Sequence, residues 1–211
     1  MLKKIRNFLA PKLETLNRVE LNQAALIGNY RYLESLASGA NIIPVLKSNA
    51  YGHGLREVCQ ILASLQPTMV AIDSYPEYQI VKKELKSDIL IMGESHLSVY
   101  KQFDPKRTIL AVYNLSTLQH LITLGKKFRI HIFLNTGMNR EGVQQENLEE
   151  FCHLCKNSNI QVEGVMSHLA YGDNEKMELV TAQYDRFKIM HDIILSHGFS
   201  PTRRHINNSG G

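Results

Sequence analysis

The sequence predicts an α/β fold of parallel strands and helices, closest to a (β/α)8 barrel. Short apolar runs alternate with longer segments in which apolar residues recur every three or four positions, as on one face of a helix. Seven strands are predicted in this way, and no G-x-G-x-x-G follows the first, so a barrel is favoured over a doubly wound sheet. Because the chain ends directly after the seventh strand, we expect a barrel truncated at that point.

The predicted elements follow from these periodicities. Helices are expected at 22–37, 55–65, 77–85, 96–102, 116–125, 147–156 and 176–197. Strands are expected at 41–47, 69–73, 88–93, 108–113, 128–135 and 160–168, and from 203 onward. Alternation along the fifth strand directs His131, Phe133 and Asn135 into the barrel.

Composition limits the classes of function. The 211 residues, 44% of them hydrophobic, suffice for one substantial core, and we treat 1–211 as one domain. The net charge of +4 lacks the clustered basic stripe of a nucleic-acid-binding surface. No apolar run is long enough to span a membrane, and the N-terminus lacks the features of a secretory signal. We therefore expect a cytoplasmic protein that binds neither nucleic acid nor membrane.

Polar residues follow the carboxyl ends of several strands, where a barrel of this kind has its active site. Lys47 ends the first strand, and desolvation there would favour the neutral amine, a nucleophile toward aldehydes. Ser209 precedes two glycines in a turn that suits a phosphate group. The other candidate site residues are Tyr51, Arg140, His168 and Asn208.

Four motifs together resemble those of bacterial alanine racemases. K-S-N-A-Y-G-H-G at 47–54 resembles the lysine motif that binds pyridoxal phosphate in that family. N-T-G-M-N-R-E-G-V at 135–143 resembles their D-T-G-M-x-R-x-G segment, and G-V-M-S-H-L-A-Y-G-D at 164–173 their S/T-H-x-A segment. H-I-N-N-S-G-G at 205–211 resembles their H-x-x-N-S phosphate segment. The motifs keep the family's order and compatible spacing.

The resemblance implies a fold-type III barrel in which Lys47 carries pyridoxal 5′-phosphate. Tyr51 and Ser209 would bind the phosphate, with Asn208 supporting that end of the cofactor. A further two residues would complete the site: Arg140, by the phenolic oxygen and the substrate carboxylate, and His168, beside the pyridine ring.

The implied reaction is the interconversion of L-alanine and D-alanine, an isomerase activity that supplies peptidoglycan precursors, in a homodimer. Lys47 would be one of two catalytic bases. In the family the second base is a tyrosine from the C-terminal β-domain of the partner subunit. We expect no such domain in this chain, and hence cofactor binding without useful racemisation by these residues alone.

Two positions depart from the family's pattern. Phe133 stands where many members have a carbamylated lysine that orients the arginine, and Asn135 stands where they have an aspartate. How Arg140 is held is therefore open at the level of sequence.

Other interpretations also remain. The chain could be a single-domain pyridoxal-phosphate carrier, or a racemase of another amino acid such as serine or lysine. A zinc site would need His53, His168 and His205, but it gives Lys47 no role, and we expect no metal. Cys152 and Cys155 form an isolated C-x-x-C, expected as two thiols on a helix face. The remaining histidines are expected on the surface or on helix faces without a site role: His96, His120, His131, His153, His191 and His197.

Overall fold

The computed structural model describes residues 17–172 and 177–208. Within these ranges the helices are α1 (Gln23–Leu36), α2 (Leu55–Leu62), α3 (Tyr75–Glu84), α4 (Leu97–Tyr100), α5 (Leu115–Thr123), α6 (Leu148–Lys156) and α7 (Met177–Ser196). The strands are β1 (Met69–Ile72), β2 (Asp88–Ile91), β3 (Thr108–Val112), β4 (Arg129–Phe133), β5 (Gln161–Met166) and β6 (Arg203–His205). A left-handed helical turn at Lys47–Tyr51 and a 3-10 turn at Gln145–Asn147 are also present.

Helix starts follow local capping signals. The side-chain oxygen of Asn22 accepts the N–H of Ala25 at 3.0 Å ahead of α1, and that of Asn114 accepts the N–H of Thr117 at 2.8 Å ahead of α5. Pro76 lies in the first turn of α3, where its missing N–H costs nothing. These signals explain where α1, α3 and α5 begin; residue 176, the expected start of the last helix, lies outside the described residues.

The strands form one parallel sheet in the order β1-β2-β3-β4-β5-β6, which confirms the predicted alternation. The sheet is curled. In a flat sheet, β1 and β6 would be roughly 24 Å apart, since neighbouring strands are about 4.8 Å apart. Instead, Nη1 of Arg203 on β6 lies 3.8 Å from Sδ of Met69 on β1. The described residues therefore form a curled half-barrel.

The first predicted strand, at 41–47, does not form as a strand. A single parallel bridge joins Val45 to Ala71, with the Leu46 N–H donating to the Ala71 carbonyl at 2.7 Å. Pro44 has no N–H to extend a ladder, and the left-handed turn begins at Lys47. The sheet of the described chain thus has six strands rather than seven. Truncation after the last strand stays a prediction.

The sheet buries apolar side chains on both faces. Ile130, Ile132 and Leu134 face the helices and belong to the larger core cluster. The inner face carries a smaller cluster, formed by Met69, Ala71, Leu90, Ile109, Ala111, Tyr113, Phe133 and Met166. The predicted alternation along β4, with Phe133 directed inward, is confirmed.

Ion pairs hold the amino ends of the strands together. The guanidinium of Arg129 contacts Asp88 on β2 at 2.6 Å and Glu163 on β5 at 2.5 Å, and Arg203 lies 3.2 Å from Glu163. A register shift between β4 and β5 leaves Glu163 as the extra residue of a bulge. The two arginines and two carboxylates at the amino ends of the strands thus pair with one another, and they take no part in the opposite, carboxyl-end side of the sheet.

We expect Arg129→Met to lower the free energy of unfolding by about 3 kcal/mol, because two partly buried carboxylates would keep only their contacts to Arg203. Urea denaturation measures this loss. Lys188→Met is the matched control, since it removes an exposed ion pair with Asp185 and should cost less than about 0.5 kcal/mol. Equal losses in the two variants would contradict a special contribution of the Arg129 cluster.

Candidate active site

The carboxyl ends of the strands bring together residues from distant parts of the chain. Burial, and then the positive charges of Arg140 and Lys47, lower the pKa of His168. Burial, and then the negative charges of Glu141 and Asp73, raise the pKa of Tyr113. Lys47 and Arg140 therefore each lie within electrostatic reach of His168, at the carboxyl-end opening of the curled sheet, which we call the mouth.

The residues after Lys47 form an unusual left-handed turn. Ser48, Asn49, Ala50 and Tyr51 have φ values between 52° and 57°, a conformation that costs about 1–2 kcal/mol per L-residue. Specific contacts offset this strain. Ala50 is buried, and the Asn49 side-chain oxygen accepts the N–H of Leu55, the first residue of α2, at 2.8 Å.

Tyr51 projects from this turn and is 60% exposed, so its hydroxyl is accessible to a ligand. On the preceding side of the turn, the carboxylate of Glu77 accepts the N–H of Ser48 at 2.7 Å. The turn is therefore attached to the start of α3 as well as to α2. Sequence reasoning missed Glu77, although the S-x-x-E spacing from Ser74 is a helix-start signal.

Lys47 faces a carboxylate that sequence reasoning did not select. Its Nζ lies 3.5 Å from Oδ2 of Asp73, the residue that follows β1, and its side chain is 35% exposed. The desolvation expected from the sequence is therefore only partial. The amine is accessible, and Asp73 orients it. The available signal was the position of Asp73 at the end of predicted strand 69–73, at the same edge as Lys47.

Arg140 is held by its neighbour in the chain. Oε1 of Glu141 accepts hydrogen bonds from Nη2 and Nε of Arg140 at 2.7 and 3.2 Å. The loop before it is shaped by Asn135, whose side-chain oxygen accepts the N–H groups of Gly137 and Asn139, both at 3.1 Å. An amide at position 135 thus forms the turn that presents Arg140.

A buried glutamine connects this loop to the one that carries His168. Nε2 of Gln183, on α7, donates to Oγ1 of Thr136 at 3.3 Å and to the carbonyl of His168 at 3.1 Å. Its Oε1 accepts the N–H of Ala170 at 2.8 Å, and the residue is 5% exposed. Sequence reasoning missed Gln183 because a polar residue in an amphipathic helix usually lies on the solvent face.

Asn208 lies beside the loop that follows β5. A Cβ atom at Gly172 would overlap the Asn208 side-chain amide, so this close approach requires glycine. Asn208 therefore lies against the loop that carries His168. Ser209, the predicted phosphate ligand, lies outside the described residues.

Residues 21–211 match the family model described as alanine racemase, N-terminal domain. The chain belongs to the alanine racemase N-terminal domain family. It is 30% identical to alanine racemase of Carboxydothermus hydrogenoformans over 204 residues, which cover 90% of this chain and 53% of that protein. It is 28% identical to alanine racemase of Fusobacterium nucleatum over 198 residues, which cover 92% of this chain and 54% of that protein.

Solved alanine racemases share the fold. The structure of the enzyme from Clostridium difficile 630 matches with a TM-score of 0.80 and 27% identity, over 90% of this chain and 51% of that one. The structure from Streptomyces coelicolor A3(2) matches with a TM-score of 0.82 and 25% identity, over 92% and 54%. The chain thus spans about half the length of the curated and solved relatives it matches.

Phe133 and Arg140, whose relation the sequence left open, have separate contacts. Phe133 packs on Tyr113 with ring centroids 4.9 Å apart. The inner face thus carries an aromatic pair at this point, whereas Arg140 forms an ion pair with Glu141. Glu141 is therefore a support for Arg140 that the sequence did not predict.

Of the two expectations for His131, the inward direction given by strand alternation is confirmed, and the position on the surface or on a helix face is wrong. It is fully buried on the inner face, and its Nδ1 lies 2.8 Å from Nε2 of His205, so the two rings share a hydrogen bond. Burial, with the nearby charges of Arg203 and Arg129, lowers the pKa of His131 to about 2. Burial and Arg203 lower the pKa of His205 to about 4. Both rings are neutral at pH 7.

Two further outcomes concern other classes of site. Within 17–172 and 177–208, no three His, Cys, Asp or Glu side chains are grouped to hold a metal ion, and Cys152 and Cys155 are buried on one face of α6. None of the helices in these ranges is both long and apolar enough to cross a bilayer.

The histidine pair predicts a pH-dependent stability. In the unfolded chain these histidines bind protons near pH 6.5, whereas in the folded chain they do so only near their lowered pKa values. The free energy of unfolding is therefore highest above about pH 6.5 and decreases as the pH falls below it. Between pH 6.5 and 5, each histidine should remove up to about 1.4 kcal/mol per pH unit. Urea titrations at several pH values measure the slope.

In His131→Gln this slope should decrease, whereas His96→Gln, at an exposed position, should keep it. An unchanged slope in His131→Gln would show that the buried pair does not cause the pH dependence.

Proposed function

We propose that this chain is the pyridoxal-phosphate-binding domain of an amino-acid racemase, and that its substrate is alanine. The observation that carries the proposal is the arrangement of Lys47, Arg140 and His168 at one mouth. The family match and the names of the relatives support it.

The residues present fit this cofactor. The amine of Lys47 is accessible for attachment, and the exposed hydroxyl of Tyr51, with Asn208 and Ser209, would bind the phosphate. Arg140 would lie by the phenolic oxygen, and His168 beside the ring. When bound, pyridoxal phosphate supplies an electron sink that makes the substrate's α-hydrogen acidic.

The chain's own residues would then bind the substrate and move its proton. Arg140 suits a carboxylate because its planar guanidinium donates two parallel hydrogen bonds. Nζ of Lys47, oriented by Asp73, would take the α-proton and return it on one face. Since its pKa is lowered, His168 is neutral at pH 7 and adds no third positive charge beside Lys47 and Arg140. Below the mouth, the Tyr113 and Phe133 rings exclude water.

The rest of the proposal concerns the complete enzyme. A single base on one face cannot invert the α-carbon, so a second base must act on the opposite face, and we propose that a homodimer partner supplies it. The described residues alone would then hold the cofactor without racemising alanine. We further propose a cytoplasmic enzyme that provides D-alanine for peptidoglycan precursors.

Cofactor attachment is tested by the visible spectrum of the chain after incubation with pyridoxal phosphate and dialysis. We expect a band at longer wavelength than that of free cofactor, because a protonated nitrogen in place of the aldehyde oxygen withdraws electrons more strongly from the same conjugated system. Lys47→Met should lack the band, and the control Lys188→Met should keep it. A band of equal strength in Lys47→Met would contradict the assignment of Lys47.

Solvent exchange of the α-hydrogen separates a racemase domain from a carrier. In heavy water, the cofactor-loaded chain should exchange the α-hydrogen of one alanine enantiomer without inverting it, because Lys47 serves one face only. Proton NMR and chiral chromatography measure exchange and inversion. Exchange should be faster for alanine than for serine or lysine. A loaded chain that exchanges none of them would favour the carrier.

A further inference from the structure

We infer that Glu77 is a positioning residue for Lys47, because its carboxylate connects the Lys47 turn to the turn that carries Asp73. The inference rests on the proposed function, since reactivity at Lys47 matters only if Lys47 is the attachment point. No motif of the sequence analysis includes Glu77.

The two carboxylate oxygens of Glu77 bind opposite sides of the site. Oε1 accepts the N–H of Ser48, the residue directly after Lys47, at 2.7 Å. Oε2 accepts the N–H groups of Asp73 and Ser74 at 2.9 and 3.1 Å. One side chain therefore fixes two backbone segments in different loops. Ser48 is 29 residues away from Glu77 in sequence, whereas Asp73 and Ser74 directly precede α3.

Helix capping alone does not account for this geometry. An acidic residue at the third position of a helix caps it by accepting the N–H of the residue before the helix, which here occupies Oε2. The bond from Ser48 to Oε1 is not needed for α3. It stabilises the first residue of a left-handed turn, where each residue is strained.

The same carboxylate also controls the ion-pair partner of Lys47. Asp73 lies 3.5 Å from Nζ of Lys47, and its N–H is held by Glu77. From the other side, its carbonyl lies so close to Gly93 that a Cβ atom there would overlap it. Because Glu77 binds the N–H groups of both Asp73 and Ser48, it sets the spacing between the Asp73 turn and the Lys47 turn. Losing Glu77 should therefore let the amine move away from its reactive orientation.

Glu77→Gln is the decisive variant. Glutamine has nearly the same size, but its amide nitrogen donates rather than accepts, so it cannot bind the N–H of Ser48 and those of Asp73 and Ser74 together. Asn114→Ala is the matched control: it removes a helix cap at the same edge of the sheet, ahead of α5, without touching the Lys47 turn. Both variants should lose a similar amount of thermal stability.

Two measurements distinguish positioning from capping. In the protein without cofactor, hydrogen exchange of the Ser48 amide should be about tenfold faster or more in Glu77→Gln, because a bond to a charged acceptor is lost. It should be unchanged in Asn114→Ala. With pyridoxal phosphate, the rate of cofactor attachment to Lys47 should fall about as much in Glu77→Gln and stay normal in Asn114→Ala.

The outcomes separate this inference from the proposed function. If the wild-type chain attaches cofactor and Glu77→Gln attaches it at the same rate, the inference is overturned and the proposed function stands. If the wild-type chain attaches none, the proposed function fails, while Ser48 exchange still decides whether Glu77 holds the turn.

Should Glu77→Gln not fold, Glu77→Asp replaces it, since a carboxylate one methylene shorter cannot span both loops. A protected Ser48 amide and a normal attachment rate in folded Glu77→Asp would equally overturn the inference.

Discussion

The curl of the parallel sheet is the constraint on which the candidate site depends. Residues on the two edge strands of a flat sheet could not meet, yet Arg203 on β6 contacts Met69 on β1 across the inner face. The ion pairs around Arg129 hold the amino ends of β2, β4, β5 and β6 close together. The same curvature brings the loops at the carboxyl ends toward one another, so that Lys47 and Arg140 both act on His168.

Charge at the mouth is arranged in pairs. Each cation has its own carboxylate, with Asp73 near Lys47 and Glu141 near Arg140. These pairs are partly exposed and each contributes little to stability, so their main effect is on orientation. Phe133 carries no charge that could orient Arg140, and the anionic partner of Arg140 is the next residue in the chain.

Polar side chains outside the predicted set hold the loops of the site in place. Gln183 bonds to both the Thr136 loop and the His168 loop, and Asn135 shapes the turn before Arg140. Glu77 does the same for the strained turn after Lys47. Each of these side chains satisfies backbone or hydroxyl groups that would otherwise be unpaired near the site, so the loops are held by the buried polar groups they need.

Local pattern was enough to predict much of this protein. Periodicity predicted the helices and the strands β1 to β6, because the core selects apolar residues at the spacing of each element. The inward direction of Phe133 and the candidates Lys47, Arg140 and His168 followed from strand alternation and motifs. The prediction of a strand at 41–47 was wrong because Pro44 has no N–H to continue the ladder, so the apolar run forms only a single bridge to β1.

What only the tertiary structure decided are the contacts between distant segments. The bond from Ser48 to Glu77, the Lys47–Asp73 pair and the bridge made by Gln183 each join loops that sequence spacing does not relate. The burial of His131 against His205 likewise depends on the curl that brings β4 and β6 together. Periodicity reports which face of an element is buried, whereas the partner of a polar side chain depends on how the elements pack.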